Sequence, residues 1–64
     1  MDKRQFRATL AINDYTQSRL AKEMNMSEST MVRKVKNDSF TLEEAKKMAS
    51  ILHIPNLGEF FLSN

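Results

Sequence analysis

Apolar residues recur three or four positions apart along most of the chain, the spacing that places side chains on one face of an α-helix. Phe6 and Leu10, for example, share such a face. The 64 residues include one Gly and one Pro, with few runs of β-branched residues, so strands are disfavoured. The pattern predicts helices over about residues 3–13, 17–24, 28–36, 42–52 and 57–62. We therefore expect an all-α fold, a compact five-helix domain covering residues 1–64.

Three helix starts share one pattern: an apolar residue, a capping side chain, and an apolar residue four positions into the helix. The three sets are Tyr15-Thr16 with Leu20, Met26-Ser27 with Met31, and Phe40-Thr41 with Ala45. The cap accepts a hydrogen bond from a first-turn amide, and the apolar pair sets the entry angle of the chain. Glu44 follows Thr41 by three residues, which predicts a capping box. Asn56 and Glu59 repeat this spacing after Pro55.

Length and composition disfavour an enzyme. A domain of 64 residues buries only about 60% of its unfolded surface, which leaves little room for a deep catalytic pocket. The chain has no Cys, no nucleophile paired with a base, and no glycine-rich loop for phosphate. His53 stands alone near the end of the fourth helix, where a cation suits the helix dipole, so we interpret it as structural. We expect no enzymatic activity, no cofactor and no metal.

The sequence also lacks targeting signals. No apolar run approaches the roughly 20 residues that span a membrane, and the start, MDKRQFRATL, lacks the apolar stretch of a secretory signal. The absence of cysteine suits a reducing compartment. We expect a complete cytoplasmic protein with no membrane contact.

Positive charge is concentrated in the first part of the chain. The net charge is +2, with eight Lys or Arg against five Asp or Glu in residues 1–38 and two against three in residues 39–64. A partner that seeks positive charge is therefore expected to meet the N-terminal part.

The connection between the second and third helices is short. Asn25 and Met26 alone separate Met24 from the Ser27 cap, so the chain must turn sharply. Asn tolerates the left-handed backbone that commonly follows a helix. Ala21 offers a small side chain where the two helices would cross. We expect Leu20, Met24, Met26, Met31 and Val35 to point inward.

The segment Thr16–Ser27 resembles the helix-turn-helix of the Cro and lambda-repressor-like DNA-binding proteins. In that family an alanine in the second helix, a glycine four residues later and a hydrophobic residue six beyond set the crossing of the helices. Ala21, Asn25 and Met31 stand at these positions. The family also has five helices, and the segment Thr41–Ala49 is similar to its fourth, so the resemblance covers most of the chain.

Small phage regulators look most similar, on the segment from Ser27 to Lys34. The chain departs from the family at two positions. Asn25 replaces the usual glycine, and Lys34 stands where the family usually buries an apolar residue. We expect Lys34 to lay its methylene groups on the edge of the core and to direct its ammonium outward, with Val35 taking the inward role.

The resemblance implies that the third helix lies in the major groove, with its N-terminal residues toward base edges. Its outward face lies opposite Met31 and Lys34. The residues expected to contact bases are Glu28, Ser29, Val32 and Arg33. Arg33 can donate two hydrogen bonds to guanine, Glu28 can accept one from cytosine, and Val32 can touch a thymine methyl group. Glu28 also suits the positive end of the helix dipole, whether or not it meets a base.

Phosphate contacts are expected around this helix. Gln17 matches the family position that binds phosphate. The other candidates are Arg19, Ser27, Lys36, Asn37 and Ser39, with Arg4 and Arg7 from the first helix. If four to six cations meet phosphate, log affinity should fall with log salt at a slope of roughly −4 to −5.

Two functions follow from this interpretation. The first is a Cro-like, sequence-specific transcriptional regulator of a phage or prophage, which occupies an operator in double-stranded DNA in the bacterial host cytoplasm. Two copies on adjacent half-sites would then be needed, and the candidates for a homodimer or partner contact are Leu57, Phe60, Phe61 and Leu62, unless they all close the core. The alternative is a protein-binding modulator or antirepressor that docks on a phage repressor.

Overall fold

A capping side chain stands before each of the five helices of the computed structural model, which describes residues 1–62. The helices are α1 (Lys3–Ile12), α2 (Gln17–Glu23), α3 (Glu28–Asn37), α4 (Leu42–Leu52) and α5 (Leu57–Leu62). Residues 1–62 contain no strand and form a compact body of 26 × 23 × 20 Å. The expected all-α fold of five helices is confirmed, and every predicted boundary is met within one residue.

The predicted caps form their hydrogen bonds. At each predicted start the side-chain oxygen accepts a hydrogen bond from the amide three residues later. The pairs are Thr16 with Arg19, Ser27 with Thr30, Thr41 with Glu44, and Asn56 with Glu59, at 2.9–3.1 Å. The Glu44 carboxylate accepts the Thr41 amide in return at 2.9 Å, which completes the capping box. Asp2 caps α1, a cap that the sequence pattern did not indicate.

Each of the first four helices is followed within two residues by a left-handed residue that is not glycine. These residues are Asp14, Asn25, Asp38 and His53, with φ between 53° and 57°. The next residue in each case donates its amide to the carbonyl oxygen five positions earlier, at 2.8–3.0 Å. This Schellman closure satisfies carbonyl groups that the helix leaves unpaired. The expected left-handed turn at Asn25 is present. His53 is the residue that ends α4, and its backbone is left-handed.

The core draws apolar residues from all five helices. Its cluster comprises Phe6, Leu10, Leu20, Ala21, Met24, Met31, Met48, Leu52 and Phe60. None of the described residues that is buried is polar or charged. Met26 and Val35, which were expected to point inward, are half-buried and pack against this cluster. Burial of aliphatic, thioether and aromatic side chains therefore holds the domain together.

Ala21 places a small side chain in the core near the turn between α2 and α3. It is 1% exposed, and its carbonyl oxygen accepts the Met26 amide at 3.0 Å, which closes the turn. Ala21 shares the core cluster with Leu20 and Met31, which are both 0% exposed. Because interiors are packed to near-crystalline density, this position has little room for a larger side chain.

Asn25→Gly should preserve or slightly raise the free energy of unfolding, because glycine adopts the left-handed conformation of this turn without steric cost. Asn25→Ala should lower it by about 1 kcal/mol, because a Cβ is disfavoured at positive φ. Urea denaturation of the two variants measures the difference. Equal stability of both would contradict the left-handed turn.

Ala21→Leu should lower the free energy of unfolding by about 1–3 kcal/mol, because the larger side chain overpacks the crossing. Thermal and urea denaturation measure this loss. The matched control is Lys22→Leu, which adds the same side chain at the neighbouring exposed position and should change stability by less than about 0.5 kcal/mol. Equal effects at both positions would place Ala21 outside the contact.

Candidate nucleic-acid interface

The outward face of α3 presents a mixed set of side chains to solvent. All four residues predicted to contact bases, together with one predicted phosphate contact, are exposed: Glu28, Ser29, Val32, Arg33 and Lys36. Val32 is 49% exposed, although its neighbour Met31 is completely buried. The helix therefore divides as predicted, with one apolar face in the core and the opposite face accessible along its whole length.

Arg33 stands in the middle of this face without an intramolecular partner. No hydrogen bond or ion pair within residues 1–62 involves its side chain, and the Lys36 side chain one turn later is likewise unpaired within these residues. Both side chains keep their full capacity to donate hydrogen bonds. The face thus offers an unneutralised guanidinium and an unneutralised ammonium three residues apart.

The Ser27 hydroxyl already forms hydrogen bonds within the fold. Its hydroxyl accepts the Thr30 amide at 3.1 Å and donates to the Thr30 hydroxyl at 2.9 Å. The Ser29 hydroxyl lies 3.2 Å from the same oxygen. The Ser27 side chain, a predicted phosphate contact, is therefore already engaged as the cap of α3, and it also orients Ser29 at the start of the exposed face.

The Lys34 ammonium, expected to point outward from the edge of the core, is paired with a carboxylate. Its Nζ binds Glu44 Oε1 at 3.0 Å, and the two side chains are only 19% and 25% exposed. The same Oε1 accepts the Thr41 amide, so one oxygen joins the cap of α4 to the side of α3. These hydrogen bonds, with that from the Thr41 amide as the largest cause, hold the pKa of Glu44 below its usual value.

Arg19, another predicted phosphate contact, is exposed but engaged. Its Nε donates to Glu23 Oε2 at 3.2 Å, and its guanidinium lies 4.3 Å from the centre of the Tyr15 ring. Gln17, at the first residue of α2, is half-buried. Residue type alone indicated the cation at Arg19. Glu23 lies four residues later on the same helix, and this spacing is itself a sequence signal for an ion pair.

The remaining predicted phosphate contacts lie at the end of α3. Asn37 and Ser39 are exposed there, and so is Lys36. The structure adds Lys3, which sequence reasoning missed: its Nζ donates to the Lys36 carbonyl oxygen at 3.3 Å. The N-terminal ammonium binds Asp38 at 2.7 Å beside it. The start of α1 therefore contacts the end of α3, a contact between residues 33 positions apart that no local pattern indicates.

Arg4 and Arg7, the candidates from the first helix, are exposed on α1. Neither side chain forms an ion pair within residues 1–62. They remain accessible cations, and within residues 1–62 no side-chain hydrogen bond or ion pair joins them to α3 in the way that Lys3 is joined.

The four C-terminal partner candidates divide between core and surface. Phe60 is 4% exposed and belongs to the core, so its prediction as a partner contact is corrected: its ring is needed inside to close the cluster. Leu57 and Phe61 are half-buried, and Phe61 stacks edge-on against Phe60 with ring centres 5.1 Å apart. Leu62 is 82% exposed, and with Leu42, 63% exposed, it borders a groove of about 340 Å³.

Comparison with protein-family models, curated proteins and solved structures finds no match for this chain. Within residues 1–62, no helix has both the length and the apolar character needed to cross a membrane.

The Glu44 carboxylate should make stability depend on pH in a defined direction. Its pKa is lowered in the folded state, so its contribution is present above the ordinary value of 4.5 and is lost as the pH falls through the folded value. Glu44→Gln should therefore lower the free energy of unfolding at pH 7 and have a smaller effect at pH values below the folded pKa.

Urea denaturation at the two pH values measures this difference. Glu43→Gln is the control, because Glu43 is the exposed neighbour and forms no hydrogen bond or ion pair within residues 1–62. The same pH dependence in both variants would contradict a special role for Glu44.

Proposed function

We propose that this protein is a sequence-specific DNA-binding transcriptional regulator of the Cro and lambda-repressor-like kind, encoded by a phage or prophage. In this proposal α3 is the recognition helix, which enters the major groove of an operator and presents its exposed face to base edges. Bound there, the protein would exclude polymerase or a competing repressor from the same DNA.

The observation that carries the proposal is the unpaired Arg33 on the exposed face of α3. A guanidinium without an internal partner can donate two parallel hydrogen bonds to O6 and N7 of guanine. Val32 beside it exposes a rigid β-branched side chain of the size that contacts a thymine methyl group. Ser29 and Glu28 add hydrogen-bonding groups one turn earlier. A polar face with one apolar member is suited to reading a mixed base sequence.

The connection between α2 and α3 also supports the proposal. The two departures from the family pattern both have a physical account in this chain. Asn25 takes the left-handed conformation that the family's glycine would supply, with φ of 57°. The Lys34 side chain is only 19% exposed, and its charge is neutralised by Glu44. Ala21 remains buried beside this turn, with 1% of its surface exposed.

Backbone phosphates would position the protein without selecting sequence. Lys36 and Lys3 supply cations at the end of α3, and Gln17 lies at the start of α2. Lys34 should add little to the salt dependence of binding, because its ammonium is bound to Glu44. Each cation that meets a phosphate contributes about −0.9 to the slope of log affinity against log salt.

A single domain of this size makes few base contacts, so operator binding would use two copies on half-sites roughly one helical turn apart. The apolar surface that includes Leu42 and Leu62 is the candidate contact between copies. The same surface favours the second candidate function, a modulator that docks on a phage repressor, because exposed apolar patches commonly mark protein interfaces. The two functions differ in whether the isolated protein selects a DNA sequence.

Arg33→Ala should weaken binding to the selected operator by about 1–3 kcal/mol, because two hydrogen bonds to guanine are lost, and should leave helix content unchanged. The operator is first obtained by selection from a duplex library. Fluorescence anisotropy across a salt series then measures affinity, and circular dichroism measures helix content.

Lys47→Ala is the matched control, since it removes an exposed cation from a different helix, α4. Its affinity should stay close to that of the wild type. Selection of a sequence motif with no loss in Arg33→Ala would show that another residue reads the base. Failure of the library to yield any motif would favour the modulator.

A further inference from the structure

Three side chains, from Tyr15 just before α2 to Glu23 at its last residue, contact one another on the protein surface. The Tyr15 hydroxyl donates to Glu23 Oε1 at 2.9 Å, and Arg19 Nε donates to Glu23 Oε2 at 3.2 Å. The Arg19 guanidinium also lies 4.3 Å from the Tyr15 ring centre. Arg19 and Glu23 are 57% and 38% exposed, so the group is open to solvent on one side.

Two hydrogen-bond donors therefore converge on one anion. Arginine carries five N–H donors, and the Nε–H is the one that Arg19 uses within residues 1–62. A phosphodiester offers two charged oxygens, as a carboxylate does, and both accept strong hydrogen bonds from a guanidinium. The hydroxyl and the guanidinium that hold Glu23 have the chemistry to hold a phosphate.

We propose that Tyr15 and Arg19 form a binding site for a DNA backbone phosphate, which the Glu23 carboxylate occupies in the free protein. The proposal rests on the DNA-binding function, and it adds a phosphate-binding residue, Tyr15, and an internal competitor, Glu23. On binding, the phosphate displaces the carboxylate from the two donors. Glu23 thereby lowers the affinity for every sequence equally, because a phosphate contact carries no base information.

The Glu23 carboxylate changes the pKa of the Tyr15 phenol in the free protein. The hydrogen bond to Glu23 is the largest cause that raises the pKa of Tyr15, ahead of burial and of the Glu23 charge, while the Arg19 charge acts in the opposite direction. The chain contains one Tyr and no Trp, so an absorbance titration of the phenol reports on this group alone. The existence of the group in solution can therefore be measured without DNA.

The test compares Glu23→Gln, Arg19→Ala and the double variant, with Glu43→Gln and Lys22→Ala as controls for the loss of one exposed charge of each sign. Anisotropy with a labelled duplex of random sequence measures affinity over a salt series. Glu23→Gln should bind about three- to tenfold more tightly than the wild type, with a salt slope steeper by about 0.9. Arg19→Ala should abolish this gain in the double variant, and Glu43→Gln should change affinity less than twofold. Lys22→Ala should leave the gain intact when combined with Glu23→Gln.

A gain in Glu23→Gln that persists without Arg19, or that Glu43→Gln matches, would overturn the proposal. So would an unchanged pKa of Tyr15 in Glu23→Gln, because the hydrogen bond to the carboxylate would then be absent in solution. If neither the wild type nor Glu23→Gln binds any duplex, the phosphate site and the DNA-binding function both fail. If the Arg19-dependent gain is found but Arg33→Ala keeps its operator affinity, the phosphate site stands and only the base reading by Arg33 fails.

Discussion

The left-handed residue after each of the first four helices is the constraint on which the rest of the structure depends. It lets the chain leave a helix and pair the last carbonyl groups within one or two residues, so five helices fit into residues 1–62. Because the connections are this short, the apolar face of each helix packs into the shared core. Asn25 is the member that lies between α2 and α3, where the Met26 amide binds the Ala21 carbonyl oxygen and closes the turn.

Glu44 both caps α4 and links α4 to α3. Its carboxylate would cap α4 in any case, as the Thr41 spacing requires. Because Oε1 also binds Lys34, the cap becomes a link between α3 and α4 and removes one cation from the exposed charge of α3. An element of local helix chemistry thus contributes to orienting the candidate recognition surface, and it does so at the one position where the family resemblance would place an apolar side chain.

The cationic side chains of residues 1–62 fall into two groups: engaged ones, which are paired with carboxylates, and available ones, which form no ion pair within these residues. Lys34 and Arg19 are bound to carboxylates, whereas Arg33 and Lys36 have side chains without internal partners in the described chain. A count of basic residues treats these groups as equal, but their capacity to bind an anion differs. Arg4 and Arg7 on α1 are also exposed and form no ion pair within residues 1–62, so available cations lie on α1 as well as on α3. The proposed DNA-binding function depends on the two available cations of α3, Arg33 and Lys36.

The sequence by itself determined the helices, their starts and the inward face of α3, because capping bonds and apolar spacing act over three or four residues. It also indicated the left-handed turn at Asn25, since this depends on residue type. Only the tertiary structure decided that Lys34 meets Glu44, that Lys3 meets the end of α3, and that Phe60 lies inside while Leu62 lies outside. These contacts join separate helices, and they depend on the angles at which the helices cross, for which periodicity within one helix carries no information.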